Sequence, residues 1–149
     1  MIFVLQRVKS ASVVVSCETV ATIANGLLVY IGVAKGDSKD DVKIVAKKID
    51  GIRIFENDEG KMTFKASIDH EFLLISQFTL CGNLKKGFRP DFNQAEKPEH
   101  ALDLFNMICC ELRENYYRKV KTGLFGKDMQ VYSQVDGPVT IYFDSRGKN

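Results

Sequence analysis

The sequence predicts an α+β fold, a curved sheet closing toward a β-barrel with two helices packed on it. Three observations carry this. Segments with strand spacing outnumber segments with helical spacing. The two kinds do not alternate one to one, as a doubly wound parallel sheet requires. The chain has 149 residues, 45% hydrophobic and 27% charged, which suits one domain over residues 1–149 with a substantial core.

The elements follow in order. Residues 2–15 alternate as one long strand, with a bend or bulge expected at Ser10-Ala11-Ser12. Residues 18–24 make a second strand. The run "LLVYIGV" (27–33) is apolar on both faces and should be central in the sheet. The period then changes: Val42, Val45, Ala46 and Ile49 recur at helical spacing. Ser38 suits the N-cap of that helix, Asp41 suits its dipole, and Gly51 can close it. "IRIF" (52–55) reads as a short strand, "ENDEG" (56–60) as a turn, and 71–80 as a strand running into a polar loop at 81–91. Pro98 opens a second helix, whose stripe of Ala101, Leu104, Phe105, Ile108 and Leu112 continues to about Tyr116. Gly123 and Gly126 flank a turn. Two last strands are expected near 128–134 and 138–143, and the tail "SRGKN" is expected to be loose.

Composition narrows the function classes. No apolar run is long enough to span a membrane, and the N-terminal residues lack signal-peptide character, so a cytoplasmic protein is expected. Cys17, Cys81, Cys109 and Cys110 form no metal-ligand array, and only His70 and His100 could join them. A net charge of +2 is too small to indicate nucleic acid by itself. Two clusters remain of interest: Lys85, Lys86 and Arg89, and Arg118, Lys119 and Lys121. There is no nucleophile elbow and no phosphate-binding loop. The carboxylates sit in helix starts and turns, where structural roles suffice.

Two stretches stand out. In "ISQFTLCGNLKKGFRPDF" (75–92) an apolar strand ends in Ser76, Gln77 and Thr79 around Phe78, and a basic loop follows. Polar groups at a buried strand end are costly unless bonded. They either tie down the loop or line a pocket floored by Phe78, with Lys85, Lys86 and Arg89 guiding an anionic ligand. In "SQVDGPVTIYF" (133–143) a strand opens on Gly137-Pro138, which from spacing alone reads as a trans turn before an edge strand.

Taken in order, "SQFTL" (76–80), "KKGFRPDF" (85–92) and "DGPVT" (136–140) resemble the D-aminoacyl-tRNA deacylase family. "QRV" (6–8), "RIF" (53–55) and "FG..M.V" (125–131) extend the resemblance over essentially the whole chain. It implies a homodimer with a barrel-like fold and an enzyme that hydrolyses the ester joining a D-amino acid to the 3′ end of tRNA. It implies no cofactor, no metal and no membrane. It implies a cis Gly137–Pro138 peptide that reaches into the partner's active site as a chirality gate, braced by Arg7, with Met129 near the pocket. A gate that rejects L side chains cannot fully exclude glycine, so glycyl-tRNA is an expected second substrate.

An aminoacyl ester is already activated, so the enzyme has mainly to position it and stabilise the oxyanion. Backbone N–H groups around 76–79 are candidate donors. Gln77 can orient the substrate's amine or carbonyl, and Phe78 can stack under the terminal adenine. Thr79 has no evident base and is read as a positioning hydroxyl rather than a nucleophile. Lys85, Lys86 and Arg89 are the expected tRNA contacts. The chain departs from the family pattern at Cys81, Lys127 and Val135. Lys127 would add a phosphate contact or alter acceptor-end preference if it lined the pocket. Competing readings are a non-catalytic RNA-binding module, a small-molecule or thioester hydrolase using Thr79 or a cysteine, and a purely structural dimer.

Overall fold

The computed structural model describes residues 1–85 and 87–147. Lys86, expected above to contact tRNA, lies outside the described residues, as does the end of the tail.

The fold is built on β1 (Ile2–Val15), which is paired along both edges. On one edge it meets β2 (Glu18–Ile23) and then β3 (Gly26–Gly32), both antiparallel. Ser16 and Cys17, with φ of 50° and 66°, make the two-residue turn between β1 and β2. Left-handed dihedrals at both central positions match the twist of a tight hairpin. On its other edge β1 pairs with β8 (Gln130–Asp144). Past β3 the sheet continues in parallel to β6 (Glu71–Ser76) and then to β7 (Lys119–Thr122). A small separate hairpin joins β4 (Phe55–Glu56) to β5 (Met62–Phe64).

Both faces of the central strands are buried, as the apolar run in β3 implies. One face carries Phe3, Leu5, Leu27, Val29, Phe72 and Leu74 against α1 (Lys39–Gly51) and α2 (Pro98–Glu114). The expected helix stripes are the ones buried there, from Val42 to Ile49 and from Ala101 to Leu112. The other face curls around a second core of Val8, Val13, Ile23, Leu28, Leu73 and Ile75. The curl brings β2 back toward β6 and β7, giving a nearly closed, barrel-like sheet. Lys121 closes the gap: its Nζ donates to the Thr22 carbonyl at 2.6 Å and pairs with Glu71 Oε1 at 2.8 Å. Glu71 Oε2 accepts the Ala24 N–H at 2.8 Å. Gly26 lies where no side chain fits, since an added Cβ would stand 1.8 Å from the Glu71 carbonyl oxygen.

Several elements differ from expectation. The strand expected over 71–80 stops at Ser76, because its partner β3 ends and the chain tightens into a 3-10 turn, Phe78–Cys81. The strand read at 52–55 reduces to Phe55–Glu56, and α2 ends at Glu114 rather than near Tyr116. β5 and β7 were not legible; β7 has four residues and buries only Val120. The two last strands are one, β8. The start of the tail is anchored rather than loose: Ser145 Oγ bonds the Met1 amine at 2.7 Å and Asp41 at 2.7 Å. The second cation cluster serves the fold. Arg118 is buried against Asp50 at 2.6 Å, Lys119 faces Asp69 at 3.9 Å, and Lys121 holds Glu71.

β8 carries the main irregularity. Between the pairs Gln6–Thr140 and Val8–Val135, β1 has only Arg7 while β8 has residues 136–139. The surplus bulges out as Asp136-Gly137-Pro138, with a cis Gly137–Pro138 peptide and Gly137 at φ +122°. Proline cannot donate to a ladder, so a bulge is where a long strand tolerates it. Arg7, 6% exposed, braces the bulge from beneath. Its Nε pairs with Asp136 Oδ2 at 3.1 Å, Nη1 donates to the Ile54 carbonyl at 2.7 Å, and Nη2 donates to Glu56 Oε1 at 3.0 Å.

Two outcomes follow. Arg7→Met should cost about 2 kcal/mol, below the full loss of a buried pair because Asp136 and Glu56 keep some solvent. It should also speed amide exchange over 135–139; a melt and hydrogen exchange read both, and unchanged exchange there would refute the bracing role. The hydrogen bond from Lys121, then that from the Ala24 N–H, hold the Glu71 carboxyl below its ordinary value of 4.5. Its folded value is depressed, so its contribution is fully present above 4.5 and disappears as pH falls through the folded value. The stability gap between wild type and Glu71→Gln should therefore be widest near neutral pH and close in acid; a gap that is constant with pH would contradict this.

Candidate active site

β3 and β6 run parallel and end together, at Gly32 and Ser76. Their shared end is where the chain breaks from regular structure. The Gln77 N–H makes the last bond to β3, to the Ile31 carbonyl at 2.7 Å. The 3-10 turn then closes with Leu80 N–H to Gln77 O at 3.2 Å and Gly82 N–H to Thr79 O at 3.0 Å. It sits directly on Gly32: the Gln77 carbonyl and Leu80 Cβ both lie 3.0 Å from where a Cβ would be. A glycine there lets the turn seat against the sheet.

A cleft of about 690 Å³ opens beside this turn, a size that suits a small organic ligand. Ile31 and Ile75 form its floor, and Ser76, Gln77 and Phe78 a ridge along it. Pro98, Ala101 and Phe105 from α2 make one wall, and Phe125 to Met129 the other. The walls approach at Phe105 and Phe125, whose ring centres are 6.3 Å apart. Phe78 is 59% exposed at the rim, and Phe92 meets it edge-to-face at 5.2 Å. The lining is largely apolar, with Ser76, Gln77, Glu96, Lys127 and Asp128 as its polar groups.

Of the residues singled out in the sequence, Ser76, Gln77, Phe78 and Met129 meet in this cleft. Thr79 stands just behind the ridge, its Oγ1 accepting a hydrogen bond from Gln77 Nε2. Among the described residues no His, Asp or Glu bonds that hydroxyl. Of the N–H groups expected as donors around 76–79, that of Gln77 is spent on the Ile31 carbonyl. Gly137, Pro138 and Arg7 are not in the cleft of their own chain. Lys85 and Arg89 are exposed in the loop beyond the ridge. That loop has a fixed neck, where Asn83 and Asp91 exchange backbone bonds of 2.8 and 2.9 Å.

Lys127, noted as a departure, does line the cleft, beside Asp128 and opposite Glu96. The Lys97 N–H, bonded at 2.7 Å, holds the Glu96 carboxyl below its ordinary range, so the cleft keeps an ionised acid. Phe105, Ala101 and Glu96 were not singled out as site residues. Phe105 and Ala101 lie on a helix that reads as an ordinary amphipathic one, Glu96 just precedes it, and only the fold turns this stretch toward the ridge. None of the four cysteines lines the cleft. Cys81 is buried with its thiol pushed up by burial, and burial pushes Cys109 up to about 11, away from the reactive thiolate form. No group of three or more His, Cys, Asp or Glu positioned for a metal ion occurs among the described residues.

Comparison with known proteins agrees with the motifs. The family model described as D-Tyr-tRNA(Tyr) deacylase matches residues 4–144. Proteins named D-aminoacyl-tRNA deacylase from Thermosipho africanus and Cytophaga hutchinsonii are each 46% identical to this chain, covering 96% and 99% of both partners respectively. A solved structure described as "c-Myc DNA Unwinding Element Binding Protein" is 39% identical with a TM-score of 0.90, over 97% of this chain and 99% of that one. A probable eukaryotic D-amino acid tRNA deacylase shares the fold at 18% identity and a TM-score of 0.78, over 95% of this chain and 97% of its own. On the family match and these full-length relatives, the chain belongs to the D-Tyr-tRNA(Tyr) deacylase family.

Proposed function

We propose that this protein, one deacylase domain over residues 1–149, hydrolyses the ester between a D-amino acid and the 3′-terminal ribose of tRNA, releasing both. The observation that carries this is the gathering of Ser76, Gln77 and Phe78 along one apolar cleft of nucleoside size. Phe78 offers its exposed face to the terminal adenine, with Phe92 holding the ring from its edge. The N–H groups of Phe78 and Thr79 stabilise the oxyanion as water adds to the ester carbonyl. The ribose oxygen leaves with a proton. Gln77 spends its Nε2 on Thr79, so its Oε1 is left to accept from the substrate's α-amine. Thr79 thereby fixes Gln77 and is a positioning residue. Lys85, Lys86 and Arg89 draw the acceptor end in by charge. The substrate class fits a cytoplasmic enzyme.

Chirality is read by Gly137 and Pro138 of a second copy. The bulge is exposed, rigidly braced and outside its own cleft, as a group that works in a partner's cleft must be. A homodimer is therefore part of this reading. Its rigid backbone rejects an L side chain by steric conflict and spares the D isomer. Glycine offers no side chain to reject. A second reading, nucleic-acid binding without turnover, is favoured only by the DNA-binding description of one solved relative.

Purified protein given matched D-tyrosyl-tRNA and L-tyrosyl-tRNA should release D-tyrosine and spare the L ester, with glycyl-tRNA cleaved as well. Cleavage of both tyrosyl esters would remove the gate; resistance of all three esters with RNA still bound would leave the binding module. Thr79→Val should lower kcat by about tenfold to a hundredfold, the scale of a lost orienting contact. A fall of about a millionfold would make it the nucleophile.

A further inference from the structure

Phe88 is the most exposed large apolar side chain described, at 104% relative accessibility. It projects from the segment between Asn83 and Asp91, whose neck is anchored. Beyond the reciprocal backbone bonds of its neck, Asn83 Oδ1 accepts the Lys85 N–H at 2.8 Å and Asp91 Oδ1 accepts the Asn93 N–H at 2.9 Å. Gly87 takes the left-handed turn before the ring, at φ +74°. Directly after the neck comes Phe92, which touches Phe78 at the cleft rim. One short segment thus presents an aromatic at the cleft and another at an exposed tip, with Lys85 and Arg89 flanking the tip.

We propose that Phe88 stacks on an unpaired base next to the terminal adenosine, a cytidine of the single-stranded 3′ end, while the flanking cations meet its phosphates. Aromatic platforms within positive loops are how proteins hold single-stranded nucleic acid, because every base has a stacking face. A fully exposed phenylalanine between cations is poorly suited to an apolar protein partner and well suited to a stacked polyanion. The inference rests on the proposed tRNA substrate and adds a second nucleotide to the one the cleft takes.

The test compares D-tyrosyl-tRNA with 3′-O-D-tyrosyl-adenosine, which lacks the preceding nucleotide, and adds binding of a labelled, uncharged oligoribonucleotide ending in CCA. Phe88→Ala should raise KM for the tRNA about tenfold with kcat held, so the preference for tRNA over the adenosine ester falls about tenfold. Oligonucleotide affinity should fall similarly, and Phe88→Trp should restore both. The salt slope of binding should stay with Phe88→Ala and flatten with Lys85→Ala or Arg89→Ala. The inference is overturned if Phe88→Ala leaves the preference and the oligonucleotide affinity unchanged. It is also overturned if both substrates lose equally, or if the variant changes the sedimentation of the protein, which would assign the ring to a subunit contact. If wild type cleaves neither ester, the deacylase reading fails, and the oligonucleotide arm still judges Phe88.

Discussion

Strand β1 is the constraint that orders this structure. Every ladder position on it has a neighbour on each side over most of its length, so its partners cannot slide. A slip by one residue would exchange the two buried faces, which neither core could accept. β8 must therefore match a fixed template, and its surplus residues have nowhere to go but outward at 136–139. The position of Gly137-Pro138 is thus set by register, and Arg7 makes that position rigid. The same template carries β3, and β3 carries β6, whose end begins the cleft.

On the proposed reading, the cleft meets an activated ester with little apparatus. It has an apolar floor, a ridge whose backbone turns sharply, and a threonine whose hydroxyl is committed to a glutamine. Two acids line it, Glu96 and Asp128, and the hydrogen bond described at that hydroxyl comes from Gln77. Positioning and backbone dipoles are the resources on offer, and both come from the parallel ends of β3 and β6. The tight seat of the turn on Gly32 ties the ridge to the sheet.

Much of this was legible in the sequence because the relevant patterns are local. The two-faced burial of β3, the helix stripes and the Ser38–Asp41 cap are all written within a few residues; Asp41 accepts the Ser38 N–H at 2.9 Å. The ridge residues were legible from motif and from the cost of polar groups at an apolar strand end. What was hidden depends on distant partners. β7 is too short to show a period, and Arg118 looks like surface until Asp50 arrives from the end of α1. The break at Ser76 follows from where β3 stops, which residues 71–80 do not encode. The walls of the cleft were hidden for the same reason: Phe105 and Phe125 are ordinary apolar residues until α2 and the β7–β8 connection face each other.

In the proposed homodimer, the placement of the braced bulge outside the cleft of its own chain has a genetic meaning. Where the bulge of one copy serves the cleft of another, each complete site draws on two chains. A copy with a damaged bulge and a copy with a damaged cleft would together still assemble one intact site. Lesions in the two regions should complement each other, while two lesions in the same region should not. In the proposed homodimer selection would act on the pair of chains as its unit, and changes in the cleft would be tolerated only as far as another chain's bulge still fitted it.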